Sequence, residues 1–139
     1  MDKLSLEKRS WNMSRIRSKN TKPELIVRSL LHNMGFRFRL HRKDLPGKPD
    51  IVLPKYKTVI FVHGCFWHQH AGCKDGRIPK SNAEYWVEKF RRNHKRDKEV
   101  KELLQIQGWH VITIWACEIK DLPKLANSLF EEIMDIKNR

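Results

Sequence analysis

An aspartate at the head of one short apolar run and a histidine at the foot of the next can assemble a hydrolytic metal site. Asp50 opens Asp50-Ile51-Val52-Leu53, and His63 closes Thr58-Val59-Ile60-Phe61-Val62. If the two runs are strands joined by the turn Pro54-Lys55-Tyr56-Lys57, their ends bring a carboxylate, a backbone carbonyl and an imidazole together. Hard oxygen donors with a few retained waters suit Mg²⁺, which also grips phosphate oxygens. Glu24, from a preceding helix, can join by holding a metal-bound water. The plainer alternative makes Asp50 a turn residue after Pro49 and Glu24 a helix cap. Asp97, in Asn93-His94-Lys95-Arg96-Asp97, is either a solvated partner of Arg96 or Lys101 or a carboxylate that orients a histidine base.

A second constellation overlaps the first. Cys65-x4-His70-x2-Cys73 offers three close ligands from one loop, and Cys117 a fourth from past a later strand. Three thiolates and an imidazole form an established structural zinc set. The alternative is three buried thiols with His70 on the surface. A polar, histidine-rich loop around Cys65 and Cys73 argues against burial. An odd cysteine count in a chain expected in the cytosol also argues against a disulfide framework. Phe66 and Trp67 lie between the two sets of ligands. In a loop pinned by zinc, such aromatics can wedge between stacked bases. Trp86 is a third candidate wedge, with core packing an equal reading.

These residues need elements to position them. Thr21-Lys22-Pro23-Glu24 reads as a helix start, with Thr21 as cap and Glu24 at the capping-box position. Leu25, Ile26, Leu30, Leu31 and Met34 follow at helical spacing, and Gly35 is a terminator. Phe36-Arg37-Phe38-Arg39-Leu40 alternates as a half-buried strand, and the apolar run 58–62 suits the middle of a sheet. Ser81-Asn82-Ala83-Glu84 is another capping box. It leads into a long basic helix with Trp86, Val87 and Phe90 on one face, ending at Gly108. Residues 109–115 form a fourth strand, and Leu125, Leu129, Phe130, Ile133 and Met134 mark a last helix. The order α, β, β, β, α, β, α predicts an α/β sandwich around a mixed sheet of about four strands.

The 139 residues suit one domain. Residues 1–20 read as a basic arm that orders on a partner, and residues 21–139 as the single folded domain. With 40% hydrophobic and 32% charged residues, a folded chain is expected rather than a disordered one. No apolar run is long enough to cross a bilayer, and residues 1–7 lack the apolar core of a secretory signal, so the cytosol is the expected compartment. Twenty-nine Lys and Arg against sixteen acids give a net charge of +13. Charge so far from neutral favours a polyanionic partner, with nucleic acid leading because neutralised phosphates release counterions.

Several segments together resemble the very short patch repair endonucleases, the Vsr family. They are Pro46-Gly47-Lys48-Pro49-Asp50, Val59-Ile60-Phe61-Val62-His63-Gly64-Cys65-Phe66-Trp67-His68, Trp86-Val87-Glu88-Lys89, residues 93–97, Gly108-Trp109, and Trp115 with Cys117. The resemblance spans about residues 10–117. It implies a restriction-endonuclease-like fold of the PD-(D/E)xK type, with Phe61-Val62-His63 in place of the acid-x-Lys segment. It implies a strand-specific nick 5′ of the thymine in a T:G mismatch left by deamination of 5-methylcytosine. Asp50 and the Val62 carbonyl would hold Mg²⁺, with Glu24 and His63 on metal-bound waters. His68 would be the base, oriented by Asp97. Cys65, His70, Cys73 and Cys117 would hold Zn²⁺, although His68 competes with His70 as ligand in a loop longer than the family pattern. Phe66, Trp67 and Trp86 would insert from the major groove, while Met13 and the arm clasp the minor groove. A bacterial nucleoid setting, a monomer and mismatch-repair partners accompany that picture. Two other functions fit the same residues: a restriction-like enzyme cutting matched duplex, and a zinc-stabilised DNA-binding module without catalysis.

Overall fold

The computed structural model of the chain describes residues 21–65, 68, 70 and 78–137. The predicted arm, residues 1–20, lies outside them. Thr21 starts the first helix as its sequence suggests. Its Oγ1 accepts the Glu24 amide at 3.4 Å, Pro23 fits the first turn, and α1 runs over Lys22–Asn33. Gly35 follows in the left-handed region, at φ +87°. Glu24, Val27 and Leu31 form the buried stripe. Leu25, expected on that stripe, is exposed because it lies about 100° around the helix from Glu24.

The strands are β1 Arg39–Leu40, β2 Ile51–Leu53, β3 Thr58–His63 and β4 His110–Trp115. They form one mixed sheet in the order β1-β2-β3-β4, with the first three antiparallel and β4 parallel to β3. A 3₁₀ turn, Pro54–Tyr56, joins β2 to β3. The long helix α2, Ala83–Ile106, carries the chain between the two parallel strands. A 3₁₀ segment, Ala116–Lys120, then leads into α3, Leu122–Lys137.

β1 is shorter than the alternation at residues 36–40 predicts. Its partner β2 ends at Leu53, which by the register faces Phe38, and Pro54 then turns the chain away, so Phe36 and Arg37 have no strand to pair with. Phe36 instead enters the core edge-on to Tyr56, with ring centroids 5.5 Å apart. The second capping box also forms differently. Asn82, not Ser81, is the cap of α2; it sits at φ +55° and makes no side-chain capping bond. Asn tolerates this left-handed geometry better than most residues.

Side-chain alternation divides the core between the two sheet faces. Ile51, Leu53, Ile60, Ile112 and Ile114 point to one face, where Val27 and Leu31 of α1 and Leu125, Leu129 and Ile133 of α3 cover them. Val52, Val59 and Val111 point to the other, covered by Leu104 of α2 and by Leu45. Phe130 and Val87, expected in the buried faces, are exposed. Among the described residues no helix is long and apolar enough to cross a membrane. The parallel β3–β4 pair ends with His63 opposite Trp115, and this end of the sheet gathers the chemistry.

Candidate active site and zinc-ligand cluster

Asp50 stands one residue before β2, where that strand has stopped but β3 continues alongside. The edge of β3 that β2 leaves open meets its side chain: the Val62 amide donates to Asp50 Oδ2 at 2.8 Å. Burial pushes the Asp50 pKa up to about 6; the Val62 amide opposes this, nearby Glu24 adds to it, and His41 and His68 pull the other way. The turn Pro46-Gly47-Lys48-Pro49 aims the aspartate. Gly47 lies at φ +72° with no room for a side chain, because a Cβ there would sit 2.4 Å from Val100 Cγ1 on α2.

Glu24 comes from the first turn of α1 and is only 2% exposed. Its carboxylate does not close a capping box. Oε1 instead takes the Arg28 guanidinium and the His41 Nε2, each at 2.5 Å. Burial alone would raise its pKa, but hydrogen bonds from Arg28 and His41 outweigh burial and hold it below the usual carboxylate value. Ligand atoms of Glu24, His41 and Asp50 all lie within 4.8 Å of one another.

A second group stands beside this one. His68 Nδ1 lies 2.6 Å from Asp97 Oδ2, reaching from the loop after β3 to the middle of α2. A carboxylate only accepts, so Nδ1 carries the proton and Nε2 is the basic position. His63 stacks on His68 with ring centroids 3.7 Å apart and planes within 5°. Burial, reinforced by His68, pushes the His63 pKa down to about 4, against the pull of Asp97. His63 is therefore neutral at neutral pH. His94 Nε2 donates to the His68 carbonyl at 2.6 Å and ties the loop to α2.

The third group is Cys65, His70 and Cys117. His70 Nδ1 lies 3.8 Å from Cys65 Sγ and 3.4 Å from Cys117 Sγ. A tetrahedral zinc with usual bond lengths separates sulfur and nitrogen ligands by about 3.5 Å, so the donor set and its spacing fit that ion. His70, not His68, completes the group, since His68 is engaged by Asp97. Trp115 joins the second and third groups. Its ring stacks on His70 at 4.2 Å and meets His63 edge-on at 5.3 Å.

The sequence-predicted residues are thus brought into three adjacent groups: Glu24 with Asp50, His63 with His68 and Asp97, and Cys65 with His70 and Cys117. Trp86 is half-buried and stacks on Phe90 at 5.6 Å. Met13, Phe66, Trp67 and Cys73 lie outside the described residues. Sequence reasoning passed over His41, Arg28, His94 and the bridging place of Trp115. His41 was recoverable in principle: extending the β1–β2 register by one residue sets it opposite Asp50.

Residues 1–74 match the family described as DNA mismatch endonuclease Vsr. A type II nicking enzyme, V.XorIIP of Xanthomonas oryzae pv. oryzae, is 55% identical over 124 residues, covering 89% of this chain and 90% of that protein. The type II nicking enzyme V.NmeAIP of Neisseria meningitidis is 46% identical over 99% of this chain and 97% of its own. The DNA mismatch endonuclease Vsr of Escherichia coli is 39% identical over 127 residues, 91% of this chain and 81% of that protein.

Proposed function

Because the chain belongs to the Vsr family of DNA endonucleases, we propose that it nicks one strand of duplex DNA 5′ of the thymine in a T:G mismatch and so initiates repair. The observation that carries this reading is the His68–Asp97 pair standing beside the half-buried carboxylate of Asp50 and the buried one of Glu24. A base oriented by a carboxylate, next to hard oxygen donors, is what hydrolysis of a phosphodiester at a divalent cation requires.

In this mechanism Asp50 and the Val62 carbonyl would hold Mg²⁺. The two polar groups of one strand residue leave on the same edge, so the carbonyl shares the edge on which the Val62 amide meets Asp50. When bound, the ion lowers the pKa of its water and offsets charge on the leaving oxygen. His68 Nε2 takes the proton of the attacking water, and Asp97 stabilises the imidazolium that forms. His63 stays neutral beside it, so the stacked pair carries one charge rather than two, and it and Glu24 orient water. Zinc on Cys65, His70, Cys73 and Cys117 fixes the loop that carries His68. Phe66, Trp67 and Trp86 wedge the mismatch from the major groove while Met13 and the arm, residues 1–20, close over the minor groove; residues 21–139 form the endonuclease domain. The basic charge serves the phosphate backbone, and a site without two-fold symmetry suits a monomer. A bacterial nucleoid setting with mismatch-repair partners follows from the substrate.

The test is a strand-resolved nicking assay with Mg²⁺ over T:G and matched C:G duplexes with randomised flanks. Nicking of the thymine strand alone supports the proposal. Equal cleavage of matched DNA would replace it with a restriction-like activity. No cleavage in any flank, with binding intact, would leave a DNA-binding module.

A further inference from the structure

We propose that His41 is a positioning residue of the hydrolytic site, acting through Glu24. The inference rests on the reading of Asp50 and Glu24 as the divalent-cation site. His41 has no place in the motifs from which that reading was built.

His41 is delivered by the backbone. It follows the last residue of β1, and its amide donates to the Asp50 carbonyl at 3.3 Å. There it adopts φ +48°, a left-handed conformation uncommon for residues other than glycine. Such conformations persist where the surroundings over-determine them, often at functional sites. The ring then reaches Glu24: Nε2 lies 2.5 Å from Oε1, where a proton on Nε2 donates to the carboxylate. Arg28 donates to the same oxygen from one turn further along α1.

Two donors on one oxygen fix the rotation of the buried Glu24 carboxylate. A freely rotating Glu24 cannot hold a water on a cation at Asp50, whose ligand oxygen lies within 4.8 Å of those of Glu24 and His41. His41 links the two: its backbone fastens to Asp50 and its side chain to Glu24. Groups that orient metal-site residues in this way typically carry about 10–100-fold in metal affinity or activity.

The experiment compares the full-length zinc-loaded protein with His41→Asn, His41→Gln and Asp50→Asn. Asn tolerates the left-handed backbone but is too short to reach Glu24; Gln restores a donor at imidazole reach. Mn²⁺ binding is followed by electron paramagnetic resonance, with single-turnover cleavage and DNA affinity in parallel. The expected result is a 10–100-fold loss of Mn²⁺ affinity and cleavage rate in His41→Asn. His41→Gln should recover most of it, and DNA affinity should be unchanged in both. Wild-type Mn²⁺ affinity in His41→Asn, with zinc content and circular dichroism intact, overturns the role. So does a nitrogen hyperfine coupling in wild type that vanishes in His41→Gln, since His41 would then be a direct ligand. Loss of binding in Asp50→Asn alone leaves the Asp50 reading standing while His41 fails. Unchanged binding in Asp50→Asn removes the site itself.

Discussion

Replacing Asp50 by Asn should make the Mg²⁺-free protein more stable while abolishing cleavage. The ordinary aspartate pKa of 3.8 is raised to about 6 at Asp50, chiefly by burial. The folded state therefore holds a proton that the unfolded state releases between these values. Stability falls as pH rises through this window, because there the folded state binds more protons than the unfolded one. The penalty is absent below about pH 4 and complete above about pH 6. At 1.36 kcal/mol per pKa unit it amounts to about 3 kcal/mol. Partial solvent access trims this to about 2 kcal/mol. Asn removes the charge, and its Oδ1 can still accept the Val62 amide that now donates to Oδ2. Urea unfolding in Mg²⁺-free buffer without chelator, so that zinc stays bound, should show Asp50→Asn gaining about 2 kcal/mol over wild type at pH 7.5 and nothing at pH 4. Added Mg²⁺ should stabilise wild type alone, by about 2.7 kcal/mol at a hundredfold excess over its Kd. An Asp50→Asn protein no more stable than wild type at pH 7.5, or a gain independent of pH, would refute the assignment of burial as the dominant cause.

Asp97→Asn should keep DNA affinity and lower the single-turnover nicking rate about 10²–10⁴-fold, because the amide no longer fixes the His68 tautomer or stabilises its cation; a loss below tenfold would remove Asp97 from the base pair. Cys117→Ser should lose zinc, read by metal analysis, and lower the melting temperature; retained zinc would exclude Cys117 as ligand. Gly47→Ala should cost about 2–4 kcal/mol in urea unfolding, from a strained positive φ and a clash with Val100. A cost under 1 kcal/mol would mean that α2 yields easily at Val100.

Where neighbours along the chain decide the geometry, the sequence was readable. Thr21, Pro23 and Gly35 bound α1 by their own backbone chemistry, and the apolar run 58–62 is β3 because a central strand is covered on both faces. The approach of Cys65 to His70 was readable because both lie within one loop. Glu24 shows where local pattern misleads. At capping-box spacing it should reach back to its own helix end, but the Arg28 guanidinium one turn along the helix and the His41 ring from beyond β1 compete and win. His41 was harder still. It lies just past the alternating run 36–40, and only the register with β2 and an unusual φ reveal it. Pro54, a residue in a different element, denies Phe36 and Arg37 a partner strand.

Trp115 makes the two histidine-bearing groups inseparable in one mechanical sense. A single indole is the floor under His70 and the wall beside His63, with His68 also edge-on at 6.4 Å. A displacement of His70 is thereby handed to the histidine pair through a rigid plate as well as through the backbone. A grafted hydrolytic loop would have to bring its own matching ring from β4. The inner face of β4 therefore tolerates less drift in side-chain shape at its final residue than its partial exposure suggests.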